Sequence, residues 1–363
     1  MVGLILSANR FVRIVANAPA GALVDRIGTR TPLIVGLFIE AIATAGYLIA
    51  IWSAAPAFWF LLSRILWGVG SALVFATAYT IASDVSTGRS RGTSMGLVRG
   101  GITLGFPAGL VLGGVISELL SIAAAFGAAA VFAFIASFIA YTAVPETHVS
   151  DVKTTIKPWE VDRSIPALTV GCVNFGLYFA YLGALFATLV LFLPARELSV
   201  LAFGPQASSG ILMGVTVLTA SVFMLGGGVI SDRIGYRIPV LLCFLVISFI
   251  GFFTLASAQS VVHLVIACMF IGAGQGGTSG PMMALLADLT PDDRMGRAVG
   301  TNNVLGDLGG GIGPMLSLPL VEVVGFAPIY MACAVIPLVA GGVLLVGMYL
   351  ETGQLSPRVV GHS

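Results

Sequence analysis

The chain has 363 residues, of which 58% are apolar and only 9% charged, with a formal net charge of +1. A soluble domain carries about 25% charged residues, so 17 Lys+Arg and 16 Asp+Glu cannot furnish a water-facing surface of this size; the chain is a membrane protein with no room for a soluble domain. The near-zero charge excludes a nucleic-acid partner, and Cys172, Cys243, Cys268 and Cys333 lie in apolar runs without CxxC spacing, which excludes a disulfide framework and a zinc site.

Breaking the chain where charge, Pro or small polar residues cluster leaves eleven apolar stretches, at about 2–24, 32–52, 57–83, 93–117, 123–144, 166–193, 208–231, 239–258, 261–287, 297–320 and 327–349. Each reaches the roughly 20 residues that a transmembrane helix needs. The period-2 pattern of a membrane barrel is absent, so the predicted fold is all-α and polytopic.

The first span carries Arg10, Arg13 and Asn17 at i, i+3 and i+7, a single polar stripe. Glu40 lies in the second span, Arg64 in the third and Arg99 in the fourth, while Asn174, Tyr178 and Tyr181 recur at i, i+4 and i+7 on the sixth. The ninth holds Gln275, Thr278 and Ser279, and the tenth Asn302, Asn303 and Asp307. Forty-six glycines in so apolar a chain point to close helix contacts.

Basic residues set the orientation. One set of alternate loops holds Arg26, Arg30, Arg89, Arg91, Lys153, Lys157, Arg163, Arg233, Arg237, Arg294, Arg297 and Arg358, and the other holds only Arg196. The basic set is predicted to be cytoplasmic, with the C-terminus inside.

Gly21-Ala22-Leu23-Val24-Asp25-Arg26-Ile27-Gly28-Thr29-Arg30 is echoed by Gly228-Val229-Ile230-Ser231-Asp232-Arg233-Ile234-Gly235-Tyr236-Arg237 at an offset of 207, from 232 − 25. Further on the offset becomes 204, from 288 − 84, and relates Gly68 to Gly272, Gly70 to Gly274, Asp84 to Asp288, Gly92 to Gly296, Gly105 to Gly309 and Gly109 to Gly313. Spans one to five therefore map onto spans seven to eleven. The counterpart of the sixth falls before Met1, so the repeat predicts a twelve-helix plan whose first helix is missing here. The expected division is a bundle over 1–145, a cytoplasmic linker over 146–165, a six-helix bundle over 166–350 and a cytoplasmic tail over 351–363.

The paired ten-residue loops resemble the signature loop of the major facilitator superfamily (MFS), and Arg64-x-x-x-Gly68-x-Gly70 is similar to that family's fourth-helix motif. The likeness covers essentially the whole chain. It implies two pseudo-symmetric helical bundles that rock about a midplane site and move a solute driven by a proton, an ion or its own gradient. It also implies that Gly21, Asp25, Arg26, Gly28 and Arg30, with Gly228, Asp232, Arg233, Gly235 and Arg237, help to hold a cytoplasmic gate shut. Independently of any family, Asp25 is placed to meet the positive N-terminal end of the tenth span near Gly296, and Asp232 that of the fourth near Gly92. Gly21 and Gly228 are expected to let backbones approach, and the four arginines to tie the loops together.

A charge within a span costs about 2.5–3.5 kcal/mol at a helix centre, so Arg10, Arg13, Glu40, Arg64, Arg99 and Asp307 face protein or water and are candidates for the substrate or proton pathway. Asp307 is expected to pair with Arg10 or Arg13. The repeat counterpart of Arg64 is Cys268, so symmetric packing does not account for it; the resemblance implies a part in proton exchange. Four arginines against two carboxylates would suit an anionic substrate. Asn174, Tyr178, Tyr181, Gln275 and Asn303 are the uncharged cavity candidates, with helix-to-helix glue as the alternative for each. The fourth span, Gly101 to Gly109, is similar to the fifth-helix motif of drug-proton antiporters but departs from it at Phe106.

Gly272-x-Gly274-x-x-Gly277 matches a dinucleotide fingerprint in letters, yet no strand precedes it. No phosphate-binding GxxxxGK[ST] loop exists, and His148, His263 and His362 are scattered. The expected protein is therefore no enzyme and needs no cofactor. It is a plasma-membrane monomer whose partners are the bilayer, a small solute and protons, most simply a proton-linked exporter of drug-like or metabolite molecules. Uptake of an organic anion is the alternative within that class, and a membrane-embedded enzyme or scaffold the remote one.

Overall fold

In hydrocarbon every backbone N–H and C=O must be satisfied within the chain, which leaves long apolar runs little choice but helix. The computed structural model describes residues 1–84, 91–147 and 162–357; the side chains of residues 25, 79, 82–84, 91–100, 102, 103, 292 and 293 lie outside the described set. Helices follow one another as α1 Val2–Ile27, α2 Arg30–Trp52, α3 Pro56–Asp84, α4 Arg91–Leu119, α5 Ile122–Ala143, α6 Ile165–Ala195, α7 Pro205–Ile234, α8 Arg237–Ala256, α9 Val261–Leu289, α10 Asp292–Val324 and α11 Phe326–Thr352. They coincide with the eleven predicted spans, and the described residues contain no strand. Among the described residues nine helices are long and apolar enough to cross a membrane, and Leu104–Leu119 of α4 forms a shorter apolar helix.

The chain divides into two compact units, Met1–Trp159 and Glu160–Ser363. In the first, α3 packs against α1, α2 and α4, and α5 against α2 and α4. In the second, α9 packs against α7, α8 and α10, and α11 against α8 and α10. Each pairing of the first unit thus recurs in the second, as the repeat requires. The additional helix α6 packs on α10 and α11.

Glycine permits that seating. A Cβ added at Gly313 of α10 would meet the Phe179 carbonyl oxygen of α6 at 2.8 Å, and one at Gly309 would strike the Phe175 backbone. The repeat partners Gly105 and Gly109 on α4 meet nothing within 4 Å. Opposite Gly313, α6 opens into a π-helical segment, Phe179–Leu185, in which a Cβ at Gly183 would stand 2.6 Å from the Gly313 Cα. Beyond it Thr188 shares a 2.9 Å hydrogen bond with Tyr330 of α11, and Phe192 meets the same ring edge-on at 5.3 Å. Ile238, Leu241, Leu245, Leu285 and Leu344 fill the core of this unit.

Replacing Gly309 with Ala is expected to cost about 1–3 kcal/mol through overpacking, seen as a lower thermal unfolding midpoint of the detergent-purified protein. Gly105→Ala, at the matched open position, is expected to leave the midpoint unchanged or raise it, since Ala is the better helix former.

Candidate functional site

Three charged side chains within the spans of the first unit, Arg13, Glu40 and Arg64, lie on the seams of α3. Arg13 of α1 holds its guanidinium 5.6 Å over the Phe75 ring, and Arg64 of α3 lies 5.9 Å over the Tyr47 ring of α2. Tyr47 stacks on Phe60 at 5.7 Å and tilts against Phe126 at 4.9 Å, so the aromatic seat under Arg64 is itself packed from α3 and α5. Glu40 stands two turns before Tyr47 on the same face of α2, half-buried against Gly70. Arg10 is half-buried and Asn17 exposed, so the predicted α1 stripe turns outward toward its end. The side chain of Arg99 lies outside the described residues.

The two signature loops are built differently. In the first unit Gly28 adopts φ 86°, and the Glu146 carboxylate fills the space where its side chain would be. Glu146 accepts hydrogen bonds from the Thr29 N–H at 2.6 Å, the Thr29 hydroxyl at 2.8 Å and the Arg30 N–H at 3.1 Å. These are the free amides at the start of α2, where the helix dipole favours negative charge. Arg30 donates to the Tyr141 carbonyl at 2.8 Å and lies 5.9 Å over the Tyr141 ring, joining the loop to the end of α5.

In the second unit Gly235 also has positive φ, 72°, yet a Cβ there would meet nothing within 4 Å. The work passes to Arg237, 8% exposed, which donates to the Ser231 hydroxyl at 2.8 Å, to Asp232, and to Asp288 at 3.1 Å. It thereby joins the ends of α7 and α9 to the start of α8. Glu351, at an offset of 205 from Glu146, is exposed and makes no comparable bond among the described residues.

The remaining arginines and glycines of these loops differ in what they meet. Arg26 and Arg233 are exposed and meet no partner among the described residues, whereas Arg30 and Arg237 tie their loops. A Cβ at Gly21 would meet nothing within 4 Å, whereas in the second unit the backbones of α7 and α9 do approach, at Gly227, which packs on the Gly277 backbone, and at Gly228, whose Cα a Cβ at Gly280 would meet at 3.2 Å. The side chains of Asp25, Asp84 and Arg91 to Gly92, with residues 85–90, 148–161 and 358–363, lie outside the described residues; so do the expectations for Arg89, Lys153, Lys157 and Arg358.

On α6 the predicted stripe is split. Asn174 is buried and donates to the Asn302 carbonyl at 3.0 Å, whereas Tyr178 is half-buried. Tyr181 falls inside the π segment, whose wider turn breaks the 3.6-residue register; it is buried with its ring 5.0 Å from that of Phe186. Thr278 returns its hydroxyl to the Gly274 carbonyl at 2.9 Å. The Gln275 Oε1 and Asn302 Oδ1 atoms are buried without a hydrogen-bond partner, while Asn303 is exposed. Asp307 is buried, 4% exposed. No cluster of three or more metal-ligating side chains occurs among the described residues.

Two anchors lay beyond the sequence pattern: Glu146, assigned there to a linker, and Asp162. The Asp162 N–H donates to the Thr301 hydroxyl of α10 at 2.9 Å, and its Oδ1 accepts from the Ser164 N–H at 2.8 Å. Burial alone would push this carboxyl up; the Ser164 hydrogen bond and the nearby guanidinium groups of Arg294 and Arg297 hold it below the ordinary carboxylate range. A folded value below the unfolded one contributes stability at higher pH that is lost as pH falls through the folded value. Thermal unfolding followed from about pH 5 to about pH 3 is expected to show an acid-side drop that Asp162→Asn lacks. Glu146→Ala is expected to cost about 1 kcal/mol through loss of the cap, measured in the same assay, with Glu351→Ala near neutral.

The family model described as Major Facilitator Superfamily matches residues 1–314 and again 200–360. Among solved structures the chain is similar to the human organic anion transporter MFSD10 (TETRAN), with a TM-score of 0.67 at 18% identity over 94% of this chain and 83% of that one. No curated protein matches the chain by sequence.

Proposed function

Because the chain belongs to the Major Facilitator Superfamily, we propose that it exports a small organic solute, drug-like or a metabolite, in exchange for protons. Membership makes it a multi-pass membrane protein and a transporter, not an enzyme. The two repeated units are the elements between which access alternates. The surplus of basic residues in one set of loops supports a plasma-membrane orientation with the C-terminus in the cytoplasm. Each unit carries its own complement of gate residues, which supports a monomer as the working form. The gate lies at the signature loops, where Glu146 and Arg30 in one unit and Arg237 in the other hold helix ends together. Asn174, Tyr178 and Gln275 in the second unit, and Arg10, Arg13, Glu40 and Arg64 in the first, border the solute and proton path.

The observation that carries the proton-linked reading is Arg64. It sits in one unit on an aromatic ring, while the matched position of the other unit holds the buried Cys268. A cation placed in only one half of a repeat is not accounted for by the packing that both halves share. Its environment, a ring face and no carboxylate partner among the described residues, leaves it able to bias a titrating neighbour.

A second reading, uptake of an organic anion, is supported by the four arginines within the spans against the carboxylates Glu40 and Asp307, and by the likeness to the human organic anion transporter. Flux in reconstituted vesicles with and without an imposed pH gradient decides between them. Gradient-driven export is expected to vanish in Arg64→Ala with insertion into the bilayer intact; coupled flux that survives the change would show that Arg64 takes no part.

A further inference from the structure

The internal repeat supplies a control for every side chain in the α2–α3 seam, because α8 and α9 rebuild the same seam. A Cβ at Gly70 would stand 2.8 Å from the Glu40 Cγ and 2.8 Å from the Gly36 carbonyl oxygen. A Cβ at Gly274, the repeat partner of Gly70, would stand 2.6 Å from the Ser248 Cβ and 2.9 Å from the Phe244 carbonyl oxygen. Gly36 therefore corresponds to Phe244 and Glu40 to Ser248, both at an offset of 208. The seat occupied by a carboxylic acid in one unit is occupied by a small hydroxyl in the other, and the two helices close on each other equally well in both. Packing does not require an acid there.

Retaining one is costly. Glu40 lies ten residues into α2, about 15 Å along its axis, where an ionised side chain costs about 2.5–3.5 kcal/mol on insertion scales. Among the described residues its carboxyl makes no ion pair and no hydrogen bond; only its backbone carbonyl is used, accepting from the Thr44 hydroxyl at 2.7 Å. It is half-buried, so water still reaches it. The charged and titratable groups on the helices around it are few. Helix α3 brings Arg64, six residues from Gly70 and so about 9 Å along the axis; α1 brings Arg10 and Arg13, the latter over Phe75; α2 itself brings Tyr47; and α5 carries only Tyr141. A half-buried carboxyl that packing does not require, and that no cation pairs among the described residues, is available to bind and release a proton.

We propose that Glu40 is the group that takes up and releases the coupling proton. The step is a reversible protonation, carboxylate plus a proton to carboxylic acid, and involves no other co-reactant. It rests on the proton-linked reading above and adds to it the identity of the proton-binding residue.

The test uses the full chain in proteoliposomes and dicyclohexylcarbodiimide, which modifies protonated carboxyls in apolar surroundings, with adducts located by peptide mass spectrometry. A Glu40 adduct is expected that is lost as pH is raised from about 5.5 to about 8.5. Glu40→Ser, which installs the residue that the second unit already packs in this seat, is expected to unfold at the wild-type temperature and to give no adduct on that peptide. No adduct at Glu40, or one that is constant across the range, overturns the proposal. Flux measurements separate it from its premise: wild-type flux indifferent to a pH gradient defeats the proton-linked reading itself, whereas gradient-driven flux that persists in Glu40→Gln defeats only the assignment to Glu40.

Discussion

A backbone amide in hydrocarbon has no water to turn to, and the architecture of this chain follows from that constraint together with its consequence for packing. Helices satisfy the amides, but lipid is as apolar as the side chains, so helices associate through close fit and shared hydrogen bonds rather than through exclusion from water. Glycine at Gly70, Gly274, Gly309 and Gly313 lets backbones approach until a Cβ would collide. The same register in both units is what makes their helix pairings correspond.

Polar groups follow the same economy. Serine and threonine hydroxyls mostly return to a carbonyl one turn earlier, as at Thr44, Thr216 and Thr278. Where a polar group leaves its own helix, it joins elements distant in sequence: Asn174 to α10, Thr188 to α11, Asp162 to Thr301. The loop ends obey a second rule, that charge gathers where helix dipoles and free amides are. One unit meets it with a carboxylate on the start of α2, the other with a guanidinium shared by two acids. Similar ten-residue motifs thus reach the same end, a joined set of helix termini, by opposite charges.

Departure from symmetry marks where chemistry is concentrated. Several glycines keep to matched seats in the two units, Gly70 with Gly274 among them. Glu40 opposite Ser248 and Arg64 opposite Cys268 do not. An acid and a cation within one seam, unmatched in the other, are costs that packing does not demand, and a transporter that couples to an ion needs such costs in one place. The π segment of α6 is a further departure: it lies in the helix without a partner in the first unit, and it turns Tyr181 from the expected stripe into the interior.

By itself the sequence determined the class, the helix positions, the repeat and the family resemblance, because length, hydropathy and glycine spacing are summed over many residues and survive local exceptions. It also singled out Glu40 and Arg64 as costly, since a charge in an apolar run is visible without coordinates. Only the tertiary structure decided which polar groups are spent and which are free. The Glu146 cap joins residues more than a hundred positions apart, beyond the reach of any local pattern. One π turn reassigned Tyr181, Asn302 rather than Asn303 proved to be the buried amide, and Arg26 and Arg233 proved exposed where spacing alone had them tying loops. The equivalence of Glu40 with Ser248 likewise required three dimensions, because the offset drifts from 207 to 208 to 204 along the chain and only the shared contact with a glycine shows which residues occupy the same seat.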